Sequence, residues 1–167
     1  MEARKLSHPR ASPFQLSLRV RHPSLDPAEI SRQLGTKAEY SFRAGDPRPS
    51  RSGLAPASVH AESYWLGTLN PAEWPADPAV TDDPLLKIAR ERLPALSRSL
   101  GWALSVCALR FFSVHAPLLR RIRAEGGQAS VLITMSTTDA NSFSLAPEVS
   151  RIFSELGIAL EFEFGSE

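Results

Sequence analysis

Phe14-Gln15-Leu16-Ser17-Leu18-Arg19-Val20-Arg21, followed by Ser24-Leu25-Asp26-Pro27-Ala28-Glu29-Ile30, decides the fold class. The first segment alternates apolar and polar residues, the period of a strand with one buried face. The second opens a helix. Asp26 is suited to accept from orphan N–H groups, Pro27 fits the first helical position, and Glu29 completes a capping-box-like pattern. Gly35 supplies the stop. Glu39-Tyr40-Ser41-Phe42-Arg43 alternates again, so residues 14–43 read as strand–helix–strand.

The same grammar recurs near the other end. Ser130-Val131-Leu132-Ile133-Thr134-Met135 is a strand, Ser144 to Leu156 holds a short helix stopped by Gly157, and Leu160-Glu161-Phe162-Glu163-Phe164 alternates. Leu25-Asp26-Pro27 with Glu29-Ile30-Ser31-Arg32 parallels Leu145-Ala146-Pro147 with Glu148-Val149-Ser150-Arg151. In both copies the final Phe stands seven positions after the glycine stop (Gly35 to Phe42, Gly157 to Phe164). Two pseudo-repeated βαβ units sharing one sheet are the physical reading; the alternative is chance, since caps and glycine stops recur widely.

Between the units lies a Gly-, Pro-, Ser- and Arg-bearing loop at 44–61, then a strand Ser63-Tyr64-Trp65-Leu66-Gly67-Thr68. A Pro- and Asp-rich loop at 69–83 contains Trp74. From Pro84 to Gly126 apolar residues fall at 85, 89, 93, 96, 100, 103, 107, 111, 114, 118 and 122, the three-or-four spacing of helices. Pro94 and Pro117 divide that stretch. Residues 108–114 also carry strand-like character at Phe111, Phe112 and Val114; the unbroken stripe favours helix.

The expected architecture is therefore α+β: a two-layer sandwich with a mixed or antiparallel sheet, helices on one face and ferredoxin-like layering. Residues 1–13 form a flexible tail and residues 14–165 a single domain. Alternation places Leu16, Leu18, Val20, Tyr40, Phe42, Trp65, Val131, Ile133, Phe162 and Phe164 inward. It places Arg19, Arg21, Glu39, Ser41, Arg43, Thr134, Glu161 and Glu163 outward. A helix-free sheet face is either a binding platform or a solvated surface laced with Arg–Glu pairs.

Composition limits the function. The 167 residues include 43% hydrophobic side chains, enough for a packed core, and a net charge of +1 argues against a chain built mainly to hold nucleic acid or an acidic membrane. That balance is a sum of opposed parts: residues 1–53 carry ten basic and five acidic groups, and residues 137–167 carry one and six. No secretory leader is read at the N-terminus, and the longest apolar stretch, Leu100 to Leu109, is too short to span a bilayer. One cysteine, Cys107, allows no intrachain disulfide and no multi-thiolate metal site. A soluble cytoplasmic protein follows, and the excess of Arg over Lys, with frequent Ala, points to a GC-rich bacterial genome.

These motifs, taken in order, resemble a bacterial family catalogued as domain of unknown function 4279. Its pattern is a strand, L-D-P-x-E-I-x-x-x-L-G, a strand, a G-D-x-R loop, a Trp-bearing strand, helices, and a closing L-S-P-E-x-x-x-x-x-x-x-L-G before a last strand. Leu25 to Gly35, Gly45-Asp46-Pro47-Arg48, Trp65 and Leu145 to Gly157 supply those parts, so the likeness spans about residues 14–164. This chain departs at Ala146, where the pattern has Ser, and in a longer, more apolar region between Trp65 and Ser130. The resemblance implies no activity. Similar small bacterial proteins are associated with interaction roles, toxin immunity among them.

The sharpest chemical candidate is the loop Arg43-Ala44-Gly45-Asp46-Pro47-Arg48-Pro49-Ser50-Arg51. Arg43, Arg48 and Arg51 are suited to clamp a phosphate or carboxylate, and Gly45 allows close backbone approach. Asp46 within Gly-Asp-Pro reads equally well as a turn. Trp74 is a candidate partner anchor. His22, His60 and His115 are scattered without metal-ligand spacing, Cys107 sits on the apolar stripe, and no G-x-S-x-G, P-loop or dinucleotide fingerprint appears. No cofactor or metal is expected. The reading is a non-enzymatic protein-interaction module, of the immunity-like kind, with a protein partner or a second copy of the chain. The alternative is a small-molecule or anion sensor using loop 43–51; an enzyme ranks third.

Overall fold

The computed structural model describes residues 14–48, 58–71, 99–136 and 144–165. Strand β1 (Phe14–His22) leads to helix α1 (Pro27–Leu34), strand β2 (Tyr40–Phe42) and strand β3 (Ser63–Leu69). Helix α2 (Leu100–Val106) continues as a π-helical turn (Cys107–Phe112). Helix α3 (Ala116–Ala124), strand β4 (Gln128–Ser136), helix α4 (Pro147–Leu156) and strand β5 (Ile158–Gly165) follow. The tail at 1–13 lies outside the described residues, as do Arg51, Trp74 and Pro94.

The sheet order is β2-β3-β1-β4-β5. β1 is antiparallel to both β3 and β4, β2 is antiparallel to β3, and β4 and β5 are parallel. The first four strands thus take the split βαβ arrangement of a ferredoxin-like layer, with β3 inserted between β1 and β2. α4 and β5 extend it by one parallel strand. The two units that look alike in sequence therefore close differently: β4 and β5 are neighbours, whereas β1 and β2 are not.

One core joins the helices to one sheet face. Leu16, Leu18 and Val20 of β1 meet Ile30 and Leu34 of α1, Leu104 and Phe112 of the α2 segment, Leu119 and Ile122 of α3, and Val149 and Phe153 of α4. Burial of each such side chain contributes about 1.5–3 kcal/mol. Trp65 is 0% exposed, and its indole N–H donates to Ser31 Oγ at 2.9 Å, pinning α1 to β3. The indole lies over Gly67, where an added Cβ would approach it within 2.5 Å. Glycine is therefore what lets the largest core side chain lie flat.

Local chemistry explains the element ends. Asp26 accepts from Ala28 N at 2.9 Å, and Gly35 ends α1 in the left-handed region at φ 64°. Pro117 starts α3 after a bend of 85° from the preceding helical segment. The π-helical turn is marked by Ser113 N donating to Ala108 O at 3.1 Å. Its wider winding lets consecutive Phe111 and Phe112 both be buried, and Phe112 meets Phe153 of α4 edge-on at 5.6 Å. Among the described residues the apolar stripe fails only at Val114, which is 69% exposed at the bend. No single described helix is long and apolar enough to cross a membrane.

His22 holds the turn after β1. Its Nδ1 accepts from Ser24 N at 3.1 Å and Leu25 N at 2.7 Å, which places the proton on Nε2, 3.3 Å from Glu125. Glu125 also accepts from Arg121 at 2.8 Å, and Arg121 reaches Glu29 of α1 at 2.7 Å.

Two inward assignments are corrected by the register. Ser41 stands opposite Trp65, so Tyr40 and Phe42 point to the helix-free face beside Leu66 and Tyr64. Edge strand β2 has only three residues, and its own alternation does not say which set lies inside; its pairing with β3 does. Phe162 and Phe164 follow the predicted alternation, but at the edge of the sheet they are 41% and 66% exposed rather than buried.

Gly67→Ala is expected to lower stability by about 1–3 kcal/mol through overpacking against Trp65. Urea denaturation measures this, and an unchanged midpoint would contradict the packing described. A second expectation concerns acid. The hydrogen bond from Arg121 holds the Glu125 carboxyl below the usual carboxylate range. Its contribution is present above the ordinary Glu value of about 4.3 and is lost as pH falls through the lowered one. Glu125→Gln should therefore flatten the acid limb of stability against pH; superimposable curves for the two proteins would contradict this.

Candidate functional site

The described helices all pack on one face of the sheet, so among the described residues the side chains of β1 to β5 that point the other way form an open surface. Register assigns its rows. Phe42, Tyr64, Arg21 and Gln128 lie side by side across four strands, and Tyr40, Leu66, Arg19, Ser130 and Ala159 form the next row.

The β2–β3 end of this face is aromatic. Phe42 stacks on Tyr64 with ring centroids 5.2 Å apart and on His60 at 3.6 Å. Tyr40 meets Tyr64 edge-on at 5.9 Å and Phe42 at 5.8 Å. Tyr40 is 55% exposed. Four rings thus contact one another on the solvent side of the sheet, not in the core.

The opposite end is charged and concave. Arg19, only 15% exposed, reaches across β4 to ion-pair with Glu161 of β5, and its Nε donates to Ser130 Oγ at 3.3 Å. Arg21, about half exposed, stands 3.9 Å from Glu62. Between these long side chains lie Ser130 of β4, Ala159 of β5 and Gly157 just before β5, leaving an open groove of ≈ 190 Å³.

Loop 43–51 is built differently from a free clamp. Asp46 accepts from Arg43 N at 2.8 Å, and Gly45, at φ 88°, donates its N–H to His60 O at 2.8 Å. His60 N donates to Asp46 O at 2.9 Å and Arg48 N to Ser58 O at 3.1 Å, so residues 43–48 zip against 58–60. The Arg43 guanidinium pairs with Asp26 at 2.6 Å, at the start of α1. Asp46 therefore shapes the turn and Arg43 ties the loop to α1, while Arg48 is exposed. Arg51 and Trp74 lie outside the described residues, so the three arginines are not seen together.

Sequence reasoning missed His60 and Tyr64 as surface aromatics. For Tyr64 the signal was present, since a strand with Trp65 inside must turn Tyr64 outward. For His60 it was not, because its stacking depends on how the loop closes. Cys107 is fully buried, and burial pushes its thiol far above the ordinary range, which disfavours the thiolate that a nucleophile needs. Desolvation lowers His115, whose ring lies 4.6 Å from that of Phe111. Among the described residues no group of three His, Cys, Asp or Glu side chains converges on a possible metal position.

The family model described as Domain of unknown function (DUF4279) matches residues 12–165, nearly the whole chain. The chain belongs to this family. No curated protein and no solved structure matches the chain. The match of the DUF4279 domain runs from just before β1 through β5. It therefore covers all five strands of the open face and both ends of it, and it brings no activity with it.

Proposed function

We propose that this domain is a non-enzymatic protein-interaction module whose partner docks on the aromatic end of the helix-free sheet face. The observation that carries the reading is the cluster of Tyr40, Phe42, Tyr64 and His60, stacked on one another yet turned to solvent, with Tyr40 55% exposed. Rings of this kind offer large contact area at small entropic cost, because they are already held by their neighbours. Tyrosines are also enriched where binding energy concentrates. Toxin immunity is the association that similar small bacterial proteins carry, and we place the protein in a bacterial cytoplasm on its Arg-rich composition and single cysteine.

An internal duplication belongs to the same proposal. α1 and α4 both begin at a proline and end at a left-handed glycine. In both units the second strand runs in the same direction as the first. These shared features support two copies of one βαβ unit.

Affinity capture from a lysate of the source organism, with folded wild-type chain as bait, is the test. A partner retained by wild type and by Arg48→Ala, but lost with Tyr40→Ala and with Tyr64→Ala, is the expected outcome. Capture that survives both aromatic substitutions, or that disappears with Arg48→Ala, would overturn it; the latter result belongs to the loop-based sensor.

A further inference from the structure

We propose that the groove at the charged end of the open face binds a small carboxylate, with Arg21 as its fork and Gln128 as a second donor. The groove follows directly from side-chain length in register. Arg21 and Gln128 are cross-strand partners, as are Arg19 and Ser130, and Ser130 stands beside Ala159 on β5. Long side chains rise at Arg19, Arg21, Gln128 and Glu161; the floor between them is Ser130 and Ala159, with Gly157 at one end. The result is a concavity of ≈ 190 Å³ with polar walls, not an evenly filled sheet surface.

The hydrogen-bonding inventory separates its two arginines. Arg19 is committed: one side of its guanidinium holds Glu161 and its Nε holds Ser130. Arg21 is not, because Glu62 stands 3.9 Å away, outside hydrogen-bonding distance, and both side chains are about half exposed. The Gln128 carboxamide makes no hydrogen bond among the described residues. One uncommitted planar fork matches one negative charge on a planar two-oxygen group, which is a carboxylate. Glu161 lies at the far end of the groove and has acceptor capacity left for a hydroxyl on the same ligand. The chemical class is thus a small hydroxy-carboxylate. Its contacts do not include Tyr40, Phe42, Tyr64 or His60, so this site and the aromatic docking surface stand or fall separately.

Titration of the full-length ¹⁵N-labelled chain with lactate, followed by amide NMR, tests the site. Lactamide, the uncharged isostere, and inorganic phosphate are the comparison probes. Saturable shifts at residues 128–130 and 157–159 with lactate are expected, and none with lactamide. Arg21→Ala and Gln128→Ala should each weaken binding, the former by about tenfold or more, as loss of a charge-assisted hydrogen bond implies. Arg48→Ala should leave affinity unchanged. The proposal is overturned by absence of saturation at those amides, by shifts centred on residues 43–48, by equal binding of lactamide, or by tighter binding of phosphate than of lactate. All three exchanged positions are on the surface, and the amide spectrum itself reports whether each variant is folded.

Discussion

β1 carries the constraint on which the rest depends: it is hydrogen-bonded along both edges and asked to bury one side only. Leu16, Leu18 and Val20 go to the core under the helices, and the intervening Ser17, Arg19 and Arg21 must then point away from it. Because β3 and β4 both take their register from β1, a slip of one residue would turn Trp65, Val131 and Ile133 out of the core together. Were β1 to flip instead, Arg19 would enter the core, where a guanidinium without its carboxylate is costly. Apolar burial on one side and charge on the other therefore specify the same register.

The charge distribution takes its meaning from that arrangement. The chain is basic toward its start and acidic toward its end. The sheet puts β1 in the middle and β5 one strand beyond its neighbour, so Arg19 meets Glu161 although 142 positions separate them in the chain. The near-zero net charge is partly an internal pairing. Arg21, which among the described residues meets only a distant Glu62, is the part that pairing leaves over.

Much of the fold was legible because it is written in local periods. The eight residues from Phe14 to Arg21 alternate cleanly, Asp26-Pro27 and Ala146-Pro147 open helices, and Gly35 and Gly157 close them. What was not legible is non-local. β2 has three residues, too few for its own pattern to choose a face, and only the pairing of Ser41 with Trp65 puts Tyr40 and Phe42 outside. The π-helical turn at Cys107–Phe112 was hidden for a related reason: a widened turn keeps the apolar stripe nearly in phase while admitting one extra buried ring. The arginines at 43–51 looked like a clamp in sequence, yet Arg43 is spent on Asp26, a partner that no spacing rule identifies. The candidate surface was thus foreseen as a face, through its arginines and glutamates, but its aromatic end emerged only from strand order.

The helix-free face is what we propose as the working surface of this DUF4279 domain. The most direct measurement is amide-resolved NMR of the labelled chain in complex with its captured partner. The account predicts that the perturbed amides fall on residues 40–42 and 60–68, with α1, α3 and α4 unchanged. Perturbation confined to those helices, with β2 and β3 silent, would contradict it.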